Sequence, residues 1–196
     1  MRLDLVVAGV GGQGVLTFAS VLTKAAVREG YDAHYLMLAG LAQLGSPVRA
    51  HVRLGLPAGT SPKISKARAQ LVVGLERLEA LRVAPFLAPA GRALLATDAV
   101  LPYEARFRKG RYPTQLEVEE AFAGREVLWV PTHDLAGQHG TSALASAVML
   151  GALAAITPVV ERENLIVALR EELPHLADVE VEAFFEGYGF VTGNYE

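Results

Sequence analysis

Leu3-Asp4-Leu5-Val6-Val7-Ala8-Gly9-Val10-Gly11-Gly12-Gln13-Gly14 decides how the rest of the chain is read. Leu3 to Ala8 is a short apolar run closed by glycine, the pattern of a strand buried on both faces. Gly9, Gly11 and Gly14 then have the Gly-x-Gly-x-x-Gly spacing. The first glycine permits a tight turn, the second a close approach of backbone to a phosphate, and the third close packing of a helix on a strand. The helix is expected over residues 15–29, with Leu16, Ala19, Leu22 and Ala26 at helical spacing. Lys24 and Arg28 suit its C-terminal dipole and Gly30 stops it. A second strand is expected over residues 33–38, so the chain opens as a βαβ unit.

Working outward, residues 40–47 read as a loop and Val48 to Leu54 as a strictly alternating strand. Val48, Ala50, Val52 and Leu54 share one face; Arg49, His51 and Arg53 form a basic stripe on the other, expected to be solvated, at an interface, or facing an anion. Further strands are expected at 70–74, 93–97 and 126–130, and helices at 75–87, 114–122, 142–156, 162–173 and 179–186. Thr114 and Glu117 have capping-box spacing. Pro131 to Gly140 reads as a loop with room for a helical turn. This alternation predicts a single α/β domain, Rossmann-like, with a mostly parallel sheet and helices on both faces. The domain is expected over residues 1–190, with 191–196 as a frayed tail.

Composition excludes several classes. The 196 residues are 52% hydrophobic and 20% charged, ordinary for a globular domain. A net charge of −3 gives no pull toward nucleic acid or an anionic membrane. The chain has no cysteine, so it forms no disulfide and ligates no iron–sulfur cluster through thiolates. Asp4 breaks the N-terminal apolar run, so no signal peptide is read and a cytoplasmic location is expected. Thr141 to Val160 carries no charge but is rich in alanine, serine and glycine. It reads as a buried, closely packed helix rather than a membrane span, with a subunit seam as the other use.

Other constellations are weaker. Thr132-His133-Asp134 follows a strand's C-terminal end, where acid–base groups sit in open α/β sheets; the alternative is a turn with a helix cap at Asp134. His34, His139 and His175 have no companions at metal spacing, and Glu171 and Glu172 read as a solvated helix face. A dinucleotide enzyme places an acid at the end of its second strand to hold a ribose. Here that strand ends Tyr35-Leu36-Met37-Leu38-Ala39, and Asp32 lies at its beginning, which counts against NAD.

The opening resembles the gamma subunit, or gamma domain, of the 2-oxoacid:ferredoxin oxidoreductases, of pyruvate or indolepyruvate type. Those chains show Gly-x-Gly-Gly-Gln-Gly before a helix, then a loop like Gly-Met-Ala-Gln-Arg-Gly-Gly-Ser-Val and a strand like His-Val-Arg-Ile-Gly. Here Gly9 to Gly14 is followed by Gly40-Leu41-Ala42-Gln43-Leu44-Gly45-Ser46-Pro47-Val48 and by His51-Val52-Arg53-Leu54-Gly55. Pro62-Lys63-Ile64, Leu71 to Glu76, Leu150-Gly151-Ala152 and Ala183 to Gly187 extend the likeness over nearly the whole chain. The departures are Leu44 for an arginine, Pro47 for a small polar residue, Gln70 for an aspartate and Ser146 for an asparagine. Leu44 removes a fixed donor fork for phosphate or carboxylate.

The resemblance implies a scaffolding subunit without catalytic residues or metal ligands of its own. Thiamine diphosphate and iron–sulfur clusters are then expected on partner subunits, which decarboxylate and oxidise the 2-oxoacid and pass electrons to ferredoxin. Coenzyme A is the ligand this chain would approach, through Gly9, Gly11, Gly12, Gln13, Gly14, Gln43, Gly45 and Ser46. Two other readings stay open: a stand-alone oxidoreductase binding NAD(P) or flavin, and a purely structural subunit.

Overall fold

The computed structural model describes residues 2–40, 45–57, 59–99, 112–137 and 144–193. Six strands form one sheet: β1 (Leu3–Val10), β2 (Ala33–Ala39), β3 (Pro47–Leu54), β4 (Ala69–Gly74), β5 (Leu87–Ala96) and β6 (Glu126–Val130). Their order is β2-β3-β1-β4-β5-β6. β1, β4, β5 and β6 pair in parallel, whereas β3 runs antiparallel to both β1 and β2. The βαβ opening forms: β2 runs the same way as β1 after the crossover through α1, with β3 lying between the two strands. β3 suits the inner position, since Ala50, Val52 and Leu54 are all buried. β2 takes the edge with Tyr35, Met37 and Leu38 exposed.

Helix α1 (Val15–Arg28) packs on one sheet face. There it shares a core with Leu5, Val7, Val52, Leu71 and Leu94. α4 (Thr132–Gly137), α5 (Ala145–Ile156), α6 (Arg162–Glu172) and α7 (Ala177–Thr192) join that core. The other face carries α2 (Arg77–Val83) and α3 (Gln115–Ala121), over Val6, Ala8, Val72 and Leu95. All eight residues of β1 are buried, as a strand covered on both faces requires.

Three boundaries differ from expectation. The helix starting near residue 75 stops at Val83; Ala84–Phe86 form one 3₁₀ turn around Pro85, and β5 begins already at Leu87. Pro131 to Gly140 contains a helix, α4. α7 runs on past Glu186 to Thr192, where Gly193 closes it in a left-handed conformation (φ 73°). Residues 191–193 are thus helix and cap rather than tail. The Thr114–Glu117 capping box forms as expected.

α5 and α7 meet backbone to backbone. A β-carbon on Gly151 would overlap the Phe184 carbonyl, and one on Gly187 would overlap the Val148 carbonyl. The small residues of α5 serve this internal seam; the helix is buried from Ala145 to Leu153. Glu171 and Glu172 are not a purely solvated face. Glu172 accepts from Ser20 Oγ (2.8 Å) and pairs with Lys24, and Glu171 pairs with Arg28, fastening α6 to α1. No helix among the described residues is long and apolar enough to cross a membrane.

Candidate functional site

β1 ends at Val10, the chain turns through Gly11, Gly12 and Gln13, and α1 starts from Gly14. The structure brings this turn onto the loop the sequence paired with it. The Gly11 amide donates to the Ser46 carbonyl (2.9 Å), and the Gly45 amide donates to the Gly11 carbonyl (3.1 Å). Gln43, the remaining residue of that set, lies outside the described residues. Gly14 holds φ 77°, and a β-carbon there would overlap Ser146 of α5. The serine found where the resemblance suggests asparagine is therefore a packing partner of the third glycine.

Gln13 is a structural tie. Its Oε1 accepts from the Val10 amide (2.9 Å) and its Nε2 donates to the Leu75 carbonyl (2.9 Å). Leu75 follows β4, so the side chain bridges the ends of β1 and β4. Strand order reverses between these two strands, and that crevice is where ligands of open α/β sheets usually sit. Here a glutamine fills it. Gly9 packs against the same group: a β-carbon would come within 2.9 Å of Gln13 Oε1 and 3.0 Å of Leu75 Cβ.

The open space lies beside the turn. A cleft of about 290 Å³ runs between Gly11, Gly12, Gly14 and Leu16 on one side and Met37 and Ala39 at the β2 edge on the other. Sequence reading placed Leu16 on the buried side of α1; it is 43% exposed and lines this cleft. Among the described residues, no side chain lining the cleft is ionisable. The first amides of α1, which lack carbonyl partners within the helix, supply its polarity.

At the C-terminal ends of β4 and β5 a second polar cluster appears. Glu76 caps α2 by accepting from the Glu79 amide (2.9 Å) and accepts a hydrogen bond from the Tyr112 hydroxyl. Burial raises the Glu76 carboxyl above its ordinary value. Asp98 accepts from Thr132 Oγ1 (2.6 Å) and the His133 amide (3.2 Å). Thr132 and His133 thus dock onto Asp98, which the sequence did not single out, and Asp134 sits in the first turn of α4. Among the described residues no group of three metal-ligating side chains is placed to hold an ion. His139 lies outside the described residues.

The basic stripe of β3 is engaged by partners within the chain. Arg49 lies 4.8 Å from the centre of the Phe86 ring, and Arg53 pairs with Asp4, its cross-strand neighbour (2.8 Å). His51 is 0% exposed, edge-on to Phe86, and its Nδ1 accepts from the Ile64 amide (2.9 Å). That bond assigns the ring proton to Nε2. Burial, reinforced by Arg49, Lys63 and Arg53, lowers the imidazole to about 4. Unfolded, His51 binds its proton near pH 6.5; folded, it does so only near pH 4, so stability falls as pH drops between the two. The loss from pH 7 to 4.5 is expected to be about 2 kcal/mol. In His51→Asn, Oδ1 can take the Ile64 amide and this loss disappears. Urea unfolding of both proteins at the two pH values checks it; parallel pH dependence would remove His51 as its source. Glu180, raised to about 7 by burial and by Glu172, works in the opposite direction but is common to both proteins.

A family model described as Pyruvate ferredoxin/flavodoxin oxidoreductase matches residues 4–190. The chain belongs to this family. It is 31% identical over 194 residues to the indolepyruvate oxidoreductase subunit IorB of Methanothermobacter thermautotrophicus, covering 96% of this chain and 97% of the relative. Against IorB of Thermococcus kodakarensis it is 30% identical over 187 residues, covering 92% of each. The fold matches pyruvate oxidoreductase subunit PORC of Thermotoga maritima at TM-score 0.72, 20% identity and 95% coverage of both chains. A 2-oxoglutarate:ferredoxin oxidoreductase of Magnetococcus marinus, solved with 2-oxoglutarate, coenzyme A and succinyl-CoA bound, matches at TM-score 0.76 and 15% identity. That alignment covers 98% of this chain but 31% of the other, so there the same fold is part of a longer polypeptide. The end-to-end matches place this chain beside the IorB subunits of the pyruvate ferredoxin/flavodoxin oxidoreductase family. The stand-alone NAD(P) or flavin oxidoreductase reading is replaced by that assignment.

Proposed function

We propose that this chain is the non-catalytic, cytoplasmic gamma-type subunit of a thiamine diphosphate-dependent complex, and that it presents its glycine turn to coenzyme A. One observation carries the reading: among the described residues, the cleft at the start of α1 offers backbone amides and apolar walls, but no acid, base, nucleophile or metal ligand. Such a surface binds and encloses; it does not transfer protons or electrons. The chemistry then belongs to partner subunits that hold thiamine diphosphate and the clusters passing electrons to ferredoxin. The Magnetococcus marinus relative, with coenzyme A bound, supports this ligand. Gly12 and Gly14 would approach its anionic part, with Gly45 and Ser46 bracing Gly11 from behind.

Leu16→Glu in the assembled complex tests this. Leu16 is the second residue of α1, where an acid suits the helix dipole and leaves the fold intact. It also puts a negative charge on the cleft wall. The KM for coenzyme A is expected to rise about tenfold while kcat changes less than about twofold. The isolated chain, assayed in parallel, oxidises no 2-oxoacid. An unchanged KM would make the turn purely structural, and activity from the isolated chain would end the accessory reading.

A further inference from the structure

At the opposite end of the sheet, where β1 and β4 begin, lies a cleft of about 480 Å³ that the proposed function does not use. Arg2, Asp4, Arg53, Lys63, Arg68 and Gln70 line it. From Asp4 to Gly11 the strand spans roughly 23 Å at about 3.3 Å per residue, so this cleft is remote from the glycine turn. Four basic side chains face one carboxylate, although the chain as a whole carries a net charge of −3.

The single acid is already engaged. Arg53 grips both oxygens of Asp4 (Nε to Oδ1 2.8 Å, Nη2 to Oδ2 3.0 Å), and Gln70 Oε1 accepts from the Asp4 amide (2.9 Å). That matched pair forms a neutral floor. Arg2 makes only a 3.4 Å contact with Asp4, and among the described residues neither Lys63 nor Arg68 has a carboxylate partner. A concave wall of one charge sign focuses the field and concentrates anions.

The backbone adds a second observation. Ala67 adopts φ 57°, a left-handed conformation that costs an L-residue free energy. Two bonds hold it there: the Ala67 amide donates to the Pro85 carbonyl (2.9 Å) and the Arg68 amide to the Phe86 carbonyl (3.0 Å). This kink sets the direction of Arg68 at the cleft. Such strain, when the surroundings hold it in place, clusters at binding sites.

We propose that this cleft binds the phosphate oxyanions of a small ligand. Guanidinium forks and an ammonium around one opening match that chemistry, and the volume lies in the range of small-molecule sites. Inorganic pyrophosphate and the diphosphate of a nucleotide share it.

Calorimetry on the full chain at low salt tests the proposal, with inorganic pyrophosphate and ADP as probes. Pyrophosphate is expected to bind at one site. The double variant Lys63→Glu/Arg68→Glu should weaken it by at least about tenfold, from the loss of two charge-assisted contacts. Arg170→Glu, a charge reversal on the exposed face of α6, should leave it unchanged. Arg68→Ala alone, which removes one guanidinium without adding a negative charge, should weaken it as well and serves if the double variant misfolds. Much tighter binding of ADP marks a nucleotide as the source; equal binding marks free phosphate. No saturable binding of either probe overturns the proposal, as does an equal loss in Arg170→Glu. Binding of a polyglutamate peptide but not of pyrophosphate would reassign the cleft to an acidic polypeptide.

Discussion

Gly187→Ala is expected to destabilise the protein by about 4 kcal/mol, although the same change in an ordinary helix stabilises it by about 1 kcal/mol. The sign is decided by what the new methyl meets. It would overlap the carbonyl of Val148, and a backbone group inside a packed helix cannot rotate away as a side chain can. Overpacking a rigid site costs about 1–3 kcal/mol when side chains yield, and more when they do not. Gly151→Ala meets the Phe184 carbonyl from the other helix and should cost about as much. The damage reaches the site, because α5 also carries Ser146, which packs on Gly14. Thermal unfolding of both variants checks this. A melting temperature at or above that of the unaltered protein would mean that α5 and α7 are not in backbone contact.

These glycines also show where sequence reading stops. The last helix was expected over 179–186, short of Gly187 and Gly189, and glycine weakens helices and often stops them. Both are buried within α7, and at Gly187 the need for close approach to α5 outweighs propensity. The glycine that does stop the helix, Gly193, is exposed and left-handed (φ 73°), which no local pattern records. Strand β6 and the Thr114 capping box were legible because each depends on a few adjacent residues. The place of β3 between β1 and β2 was not, since it depends on pairings such as Asp4 with Arg53, far apart in the chain. The same limit made His51 look solvated: alternation assigns a face, but not what the 61–68 segment and Phe86 lay over it.

At the site, Gly9 to Gly14 was legible as a turn between strand and helix, and Gly45 and Ser46 as its neighbours. The role of Gln13 was not, because its partner Leu75 lies 62 positions away. Gln13→Leu should therefore cost about 3 kcal/mol, as it leaves the Val10 amide and the Leu75 carbonyl buried without partners, at about 1–3 kcal/mol each. Gln13→Glu separates the two bonds. Its carboxylate can still accept from Val10 but meets the Leu75 carbonyl with an oxygen, so burial and repulsion should raise its pKa. Once protonated, it can donate to Leu75 and restore the bridge. A raised carboxyl contributes stability at low pH that is lost as pH climbs through its folded value. Relative to the unaltered protein, Gln13→Glu should be near-normal at pH 5 and clearly weaker at pH 8. Gln13→Leu should be weak at both. Denaturant unfolding at these two pH values distinguishes them. Equal behaviour of the two variants would mean that the donor to Leu75 contributes nothing, and that the crevice between β1 and β4 is open to a ligand after all.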